Sequence, residues 1–367
     1  MWSYKMKLSK EKATQLELEL NQIRDSVVND IGQKDADYIR RIIFIQRLCE
    51  IFGRLAFFGV LLHPIFWIVA VLLLSLSKIL DNMEIGHNVL HGQYDWMNDS
   101  TINSRKFEWD IAGDAHSWKR VHNFEHHTFT NIIGKDRDFG YGLLRMSDDL
   151  SWRPKNRWQF LTFLNLCLIF EWGIAYHELA AERVFKGKKK KNRVSPLTDS
   201  ELKKMFFSKA FRQIFKDYIF YPLICWPVFL PVLLGNIVAN LIRNLWTSTI
   251  IFCGHFTEGV HTFSEEECKN ESKGQWYYRQ VLGSSNLTGH RWFHILTGHL
   301  SCQIEHHLFP DIPAHRYVEI APKVQKVLEK YQIPYNTGGF FKQYSTVIKR
   351  IFKYSFPVKT KLIENNR

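Results

Sequence analysis

Apolar residues in this 367-residue chain are gathered into long blocks that alternate with polar stretches. The first polar stretch, residues 8–40, contains scattered leucines among many charged side chains, which predicts a solvated or membrane-surface helix within an N-terminal segment, 1–41. A nearly uninterrupted apolar block follows at residues 55–77, about the length that crosses a bilayer once. The pattern therefore predicts an integral membrane protein.

This first apolar block is interrupted by His63-Pro64, and apolar residues also extend back to Ile42. Because proline disfavours helix at the preceding residue and breaks the helical hydrogen-bond ladder, we expect a membrane hairpin over residues 42–80, with arms at 42–62 and 65–80. A single kinked span over residues 55–77 is the alternative interpretation.

Three further apolar blocks occupy residues 160–179, 214–234 and 237–253. The block at 160–179 contains three ionisable side chains, and charges inside hydrocarbon are costly, so we expect it to be an interfacial helix at the membrane surface or in a cap. The other two blocks predict a second membrane hairpin, residues 214–253.

Four membrane helices place the polar segments 81–213 and 254–325 on the same side of the bilayer. We therefore expect an all-α integral membrane fold with four transmembrane helices and a helical cap formed by these two segments. Beyond the cap, an amphipathic helix from Tyr317 leads into a basic C-terminal tail, residues 326–367.

The net charge is +13, from 49 Lys and Arg against 36 Asp and Glu. Part of this excess lies in one loop close to the spans, which the positive-inside rule assigns to the cytoplasmic side. Because the loop lacks interleaved aromatic residues, we do not expect nucleic-acid binding; anionic lipid or a phosphate-bearing substrate are alternatives to a plain solvated loop. The loop residues are Lys186, Lys188, Lys189, Lys190, Lys191 and Arg193.

Histidines recur in clusters with paired spacing. Residues four apart share a face of an α-helix, so such a pair can offer two imidazoles to one metal, and an adjacent histidine is free to reach a second metal. Seven imidazoles exceed the four that one tetrahedral zinc needs, so the clusters predict two metal ions. The clusters contain His87 and His91; His122, His126 and His127; and His306 and His307.

The sequences G-H-N-V-L-H-G from Gly86, H-N-F-E-H-H from His122 and Q-I-E-H-H-L-F-P from Gln303 resemble the three histidine boxes of the integral-membrane fatty acid desaturases. The resemblance covers roughly residues 50–325. It implies four membrane helices, a cytosolic cap and a di-iron centre that activates O2 and removes two hydrogens from an acyl chain.

The ligand positions of that family fall on His87, His91, His122, His126, His127, His306 and His307. The resemblance also implies a further histidine near the end of the fourth membrane helix, a place that His255 occupies. Gln303 replaces the first histidine of the third box and could ligate metal weakly or hydrogen-bond a ligand. His299 and His294 are further candidates for a ligand or for a residue that supports one.

Metal-bound imidazoles usually donate their other N–H to a carboxylate or carbonyl. The candidate carboxylates near the boxes are Glu84, Asp95, Asp114, Glu125, Asp138, Glu258 and Glu305, although each could equally be surface charge. An acyl chain also needs an apolar tunnel. Candidate lining residues, each of which could instead be ordinary core, are Trp96, Trp109, Trp118, Phe129 and Trp292.

Desaturation requires two electrons from outside, and the sequence contains no haem-binding H-P-G-G element, ferredoxin cysteine run or dinucleotide fingerprint. We therefore expect a separate donor, either ferredoxin, a haem protein or an NAD(P)H reductase. We expect a multi-pass protein of a bacterial inner membrane with a cytoplasmic cap. The alternatives are an acyl or alkyl hydroxylase of the same superfamily and a histidine-rich membrane protein that binds or transports zinc.

Overall fold

The computed structural model describes residues 8–186 and 197–357. Most of the basic loop predicted above, residues 188–193, lies outside the described residues. Helices dominate the rest, and their bounds in the first half of the chain are α1 Lys10–Val28, α2 Gln33–Ala56, α3 Ile65–Ile79, α4 Asn88–Leu90, α5 Ala115–Trp118, α6 His127–Phe129, α7 Gln159–Leu168, α8 Phe170–Glu178 and α9 Ala181–Lys186.

The second half is also helical, with one small exception. Its helices are α10 Asp199–Phe215, α11 Tyr221–Ile224, α12 Phe229–His255, α13 Lys273–Leu282, α14 Arg291–Leu296, α15 Gln303–Leu308, α16 Tyr317–Lys330 and α17 Phe340–Ser355. The exception to the expected all-α fold is a parallel pair of short strands, β1 Asn286–Thr288 and β2 Thr337–Gly339.

The pattern of the N-terminal polar stretch predicted one surface helix, but the structure has two helices there. The stretch contains α1 and the first part of α2, which begins at Gln33, and the two are separated by a break at residues 29–32. In α1, Leu16 and Leu20 are fully buried, and they belong to the same hydrophobic cluster as Tyr277 of α13 and Ile304 of α15. The few leucines of α1 therefore form its packing face, because they share one side of the helix.

At the first apolar block the chain leaves α2 through a 3₁₀ turn at Phe57–Leu61 and starts α3 after Pro64. The two helices lie side by side, and Gly53 of α2 packs against the side chain of Leu74 in α3. A proline just before the first helical turn costs no hydrogen bond, which explains why α3 starts here.

The later apolar blocks are divided differently from the prediction. Residues 229–255 form one continuous helix, so the expected break between residues 234 and 237 is wrong. The chain instead reverses at residues 225–228, around Pro227. Gly235 remains inside α12 because the ring of Phe57 occupies the space a side chain would need, with only 2.3 Å to an added Cβ.

Among the residues described, two helices are long and apolar enough to cross a membrane, Ile65–Leu90 and Trp226–His255. The pair Pro154–Leu168 and Phe170–Glu178 qualifies as a third span only if both parts are counted together across a 96° bend. This bent pair replaces the single interfacial helix that was predicted over residues 160–179.

The predicted basic tail also contains core-forming structure. Val347 and Ile351 of α17 are fully buried and belong to the same hydrophobic cluster as Phe163 of α7 and Phe252 of α12. The C-terminal helix is therefore packed onto α7 and α12.

Candidate metal centre

Eight histidines from four separate parts of the chain meet in one buried region. In the first group, ligand-capable atoms of His87, His91, His122 and His306 all lie within 4.8 Å of one another. The second group contains His126, His255 and His307, with the same spacing. Two adjacent groups of imidazoles are an arrangement that can hold two metal ions.

The closest approaches are between ring nitrogens. His87 Nε2 lies 3.3 Å from His306 Nε2 in the first group. In the second group, His255 Nε2 lies 3.3 Å from His126 Nε2 and 3.2 Å from His307 Nε2. Nitrogens that converge in this way have their lone pairs directed at a shared space, as metal ligands require.

His127 lies between the two groups. Its ring stacks on His307 at a centroid distance of 4.5 Å, and it meets the rings of His91 and His306 edge-on at 4.7 and 4.8 Å. Both of its ring nitrogens are buried without a hydrogen-bond partner. Its position allows it to serve either metal.

Helix irregularities bring the clusters together. The segments Leu80–His87 and Lys119–His126 are π-helical, and they end at the first and second histidine clusters respectively. A π-helical insertion shifts the side chains that follow it around the helix axis, and such segments recur at functional sites. His255 is the last residue of α12, and His306 and His307 lie on the short helix α15.

Two aspartates orient histidines from outside. His126 Nδ1 lies 3.0 and 3.1 Å from the carboxylate oxygens of Asp136. His122 Nδ1 lies 3.3 Å from Asp138, whose other oxygen lies 3.1 Å from His177 Nε2. These contacts fix the tautomers so that Nε2 of both imidazoles faces the metal centre.

Neutral groups orient three more of the imidazoles. Nδ1 of His307 lies 2.9 Å from Oε1 of Gln280, and Nδ1 of His255 lies 3.2 Å from the backbone carbonyl of Gly283. The hydroxyl of Tyr317 lies 3.5 Å from Nδ1 of His306. Sequence reasoning missed Asp136, Gln280 and Tyr317, although Asp136 follows the second histidine cluster by only nine residues.

For seven of the eight histidines a lowered pKa favours the neutral imidazole, which is the form that binds metal. Burial, together with the neighbouring histidines, holds the pKa of His91, His306 and His307 well below the ordinary value. For His126, burial lowers the pKa, but the charge and hydrogen bonding of Asp136 outweigh it, and the net shift is upward.

The donor set fits a metal for a second reason. Burying a polar atom without a partner is costly, and Nε2 of His91 and His122 are buried without one, as are both nitrogens of His127. A bound metal would satisfy these atoms.

Gln303 lies in contact with the second group. Its amide nitrogen is placed 3.0 Å from His255 Nε2, and its Oε1 is buried without a hydrogen-bond partner. The amide also packs against Gly254, where a side chain would collide with it. The structure thus places an amide beside the group that has three imidazoles.

The other two candidate histidines are not in either group. Nδ1 of His299 lies 2.9 Å from Glu84, and the other oxygen of Glu84 accepts a hydrogen bond from Tyr38. His294 is held by the hydroxyl of Ser301 and the carbonyl of Gly289, at 2.7 and 3.0 Å. Both histidines therefore have partners away from the metal centre.

Of the seven candidate carboxylates, Asp138 is the one described as contacting a histidine of the two groups. Asp95 and Asp114 accept hydrogen bonds from Ser104 and Ser117 and so stabilise local turns. Glu125 lies 3.7 Å from Arg137, and Glu258 is exposed. Glu305 accepts hydrogen bonds from Asn286 and Tyr335, and Glu84 has the partners given above.

A cavity lies beside the histidines and is lined by both apolar and polar side chains. Two of the candidate tunnel residues, Trp109 and Trp118, line this cavity together with Phe139, Tyr141 and Phe170. Trp96, Phe129 and Trp292 do not line it, and Trp292 is largely exposed.

The chain matches the family model described as fatty acid desaturase over residues 56–339. It is 42% identical to an NADPH-dependent stearoyl-CoA 9-desaturase of Mycobacterium tuberculosis, over 94% of this chain and 80% of the relative. It is 25% identical to an sn-1 linoleoyl-lipid 6-desaturase of Synechocystis sp., over 88% of this chain and 90% of that relative. No solved structure matches the chain.

Proposed function

Because this chain belongs to the fatty acid desaturase family and is an oxidoreductase, we propose that its two histidine groups hold two iron ions and that an acyl chain is desaturated beside them. The observation that supports this proposal is the pair of adjacent, buried groups of imidazoles. Bound iron would supply the O2-dependent oxidation of an unactivated methylene, which acid and base side chains cannot perform.

The proposed ligands are His87, His91, His122 and His306 in the first group and His126, His255 and His307 in the second, with His127 shared between them. Zinc has no redox chemistry, so it could not supply the electrons that reduce O2 in a desaturation. We propose that Asp136 and Asp138 hold His126 and His122 in the orientation that metal binding needs.

The cavity beside the histidines is the proposed site of the acyl chain. Its walls of Trp109, Trp118 and Phe139 exclude water from the reacting carbons. Overall, an acyl segment –CH2–CH2–, one O2, two electrons and two protons give –CH=CH– and two waters. The substrate we favour is a long-chain acyl-CoA such as stearoyl-CoA, desaturated at position 9, because the 42% identical relative is named for that reaction.

The two electrons come from outside the chain in this proposal. The same relative is named as NADPH-dependent, which suits NADPH as the ultimate source. We propose that a separate redox protein, either a reductase, a ferredoxin or a haem protein, delivers them at the cap.

We further propose a four-span topology, with hairpins over residues 42–80 and 214–253 and a cytoplasmic cap of residues 81–213 and 254–325. Large exposed apolar side chains support this arrangement, since soluble proteins rarely expose so many together. They occur on α2, α3, α10 to α11 and α12 and include Phe44, Ile51, Leu72, Phe211, Leu223 and Leu230.

Expression in a bacterial host with an NADPH-dependent redox partner, followed by mass spectrometry of the fatty acids, tests the proposal. We expect a new monounsaturated acid with the wild type and with His290→Ala, since His290 is exposed and lies outside both groups. We expect no such product with His126→Ala. A wild-type chain that is produced with bound metal but yields no new unsaturated acid contradicts the proposal.

A further inference from the structure

The cavity beside the histidines extends away from them between the helices Ile65–Leu90 and Trp226–His255, and it ends part of the way along both. On α12 its lining residues run from His255 back to Ile251 and Thr247. On the other helix they run from His87 back to Asn82. The hydroxyl of Thr247 donates a hydrogen bond to Oδ1 of Asn82 at 3.2 Å, so the two helices are joined at this level.

One helical turn further from the histidines, both helices carry a buried cation. Arg243 lies below Thr247 on α12, and its side chain is 1% exposed. Lys78 lies below Asn82 on α3, and its side chain is 6% exposed. Neither cation lines the cavity among the residues described, which places both just beyond its end.

Both cations are paired. The guanidinium of Arg243 lies 2.6 Å from Glu171 of α8, and Glu171 does line the cavity. The ammonium of Lys78 lies 2.8 Å from Asp217.

Asn240 connects the two pairs. Its amide donates to Asp217 at 3.1 Å and accepts from Arg243 at 3.3 Å. The result is a continuous layer of hydrogen-bonded charges across the bundle.

The layer lies at a definite level along α12. On a helix that rises about 1.5 Å per residue, Arg243 lies about 18 Å from His255, the end of α12. Lys78 also lies 4.0 Å from Asp110, so the layer reaches the polar segment 81–213. Buried charges are costly unless they are paired, so the layer forms a fixed polar boundary beside the cavity.

We propose that the Glu171–Arg243 ion pair is the floor of the acyl cavity and selects the length of the acyl chain that the enzyme desaturates. This inference rests on the proposed function. A methyl end that reaches Glu171 meets a buried ion pair. Pushing past it would separate two buried charges from their partners, which is strongly unfavourable. The floor therefore limits how many carbons lie beyond the reacting position.

The test uses the full chain in the expression host, supplied with an equimolar mixture of saturated acids of 16, 18 and 20 carbons. The main variant is Glu171→Ala combined with Arg243→Leu, which removes both charges together and leaves neither unpaired. We expect the ratio of 20-carbon to 18-carbon product to rise at least about tenfold. One methylene group changes selectivity in an apolar pocket by about 10-fold or more, so this is the smallest change we expect.

A second variant tests the opposite direction. Thr247→Leu places a larger side chain in the cavity one turn above the floor and so shortens the space for the acyl chain. We therefore expect the ratio of 16-carbon to 18-carbon product to rise. The matched control replaces a surface ion pair, Glu19→Ala with Lys330→Leu, and should leave both ratios unchanged.

Unchanged ratios in variants that remain active overturn the inference. If the double variant is not recovered as a folded protein, the Thr247→Leu result decides alone, and an unchanged ratio there also overturns it. A wild-type chain without any unsaturated product would instead contradict the proposed function, so the two failures are distinguishable.

Discussion

The two histidine groups differ in how many imidazoles they contain and in how firmly those imidazoles are held. The first group has four, of which His122 contacts Asp138 and His306 has a long 3.5 Å contact with Tyr317. The second has three, and each of them has a partner on its outer nitrogen: Asp136 for His126, the carbonyl of Gly283 for His255 and Gln280 for His307.

This difference suggests a division of roles. A ligand whose orientation is fixed loses less freedom on binding metal, so three well-oriented imidazoles can compensate for the missing fourth. We therefore expect the second group to depend on its supporting residues and the first on the number of its ligands.

Among His127, the two supporting aspartates and Gln303, we expect the largest effect from His127, because its ring contacts histidines of both groups. His127→Ala should reduce product formation more than about 100-fold, beyond the 10–100-fold typical of residues that only support a ligand. Product yield per amount of folded protein, measured by mass spectrometry, checks this. An activity within tenfold of the wild type would show that His127 serves neither group.

Replacing Asp136 and Asp138 in two separate variants tests whether the second group depends more on its supporting residues than the first. Asp136→Asn should lower activity and bound metal about 10–100-fold, because the amide keeps the shape but no longer stabilises the N–H of His126 as a carboxylate does. Asp138→Asn should have the smaller effect, since Asp138 supports one of four ligands and also binds His177.

Parallel metal analysis of both variants provides the measurement. Equal losses, or a larger loss for Asp138→Asn, would remove the asymmetry between the groups.

The smallest effect is expected at Gln303. If the amide only hydrogen-bonds His255, Gln303→Ala should lower activity less than about tenfold, because a neutral hydrogen bond contributes about 1 kcal/mol. Gln303→His would add an imidazole to the second group and should retain the metal. A loss with Gln303→Ala as large as that with His126→Ala would instead identify Gln303 as a ligand.

Much of this protein could be predicted from its sequence because the chemistry is concentrated in short motifs. The family, the desaturase activity and the mainly helical, membrane-like character follow from the boxes and the apolar blocks, and all are confirmed. The family resemblance also implied a candidate ligand at His255, whose Nε2 lies 3.3 Å from Nε2 of His126.

The rest depends on tertiary contacts that periodicity does not encode. The division between the apolar blocks 214–234 and 237–253 suggested a break, but Phe57 packs against Gly235 and α12 continues through it. The role of Leu16 and Leu20 depends on partners that lie far away in the sequence, such as Ile304. Two π-helical segments, which contain His87 in one case and His122 and His126 in the other, likewise change which side chains share a face.

The most direct test of the central claim is the metal content of the purified wild-type chain, determined by elemental analysis before and after treatment with a chelator. We expect about two irons per chain, loss of desaturation when the iron is removed, and recovery when iron is restored. A chain that contains zinc in place of iron and remains fully active would contradict the proposed di-iron centre.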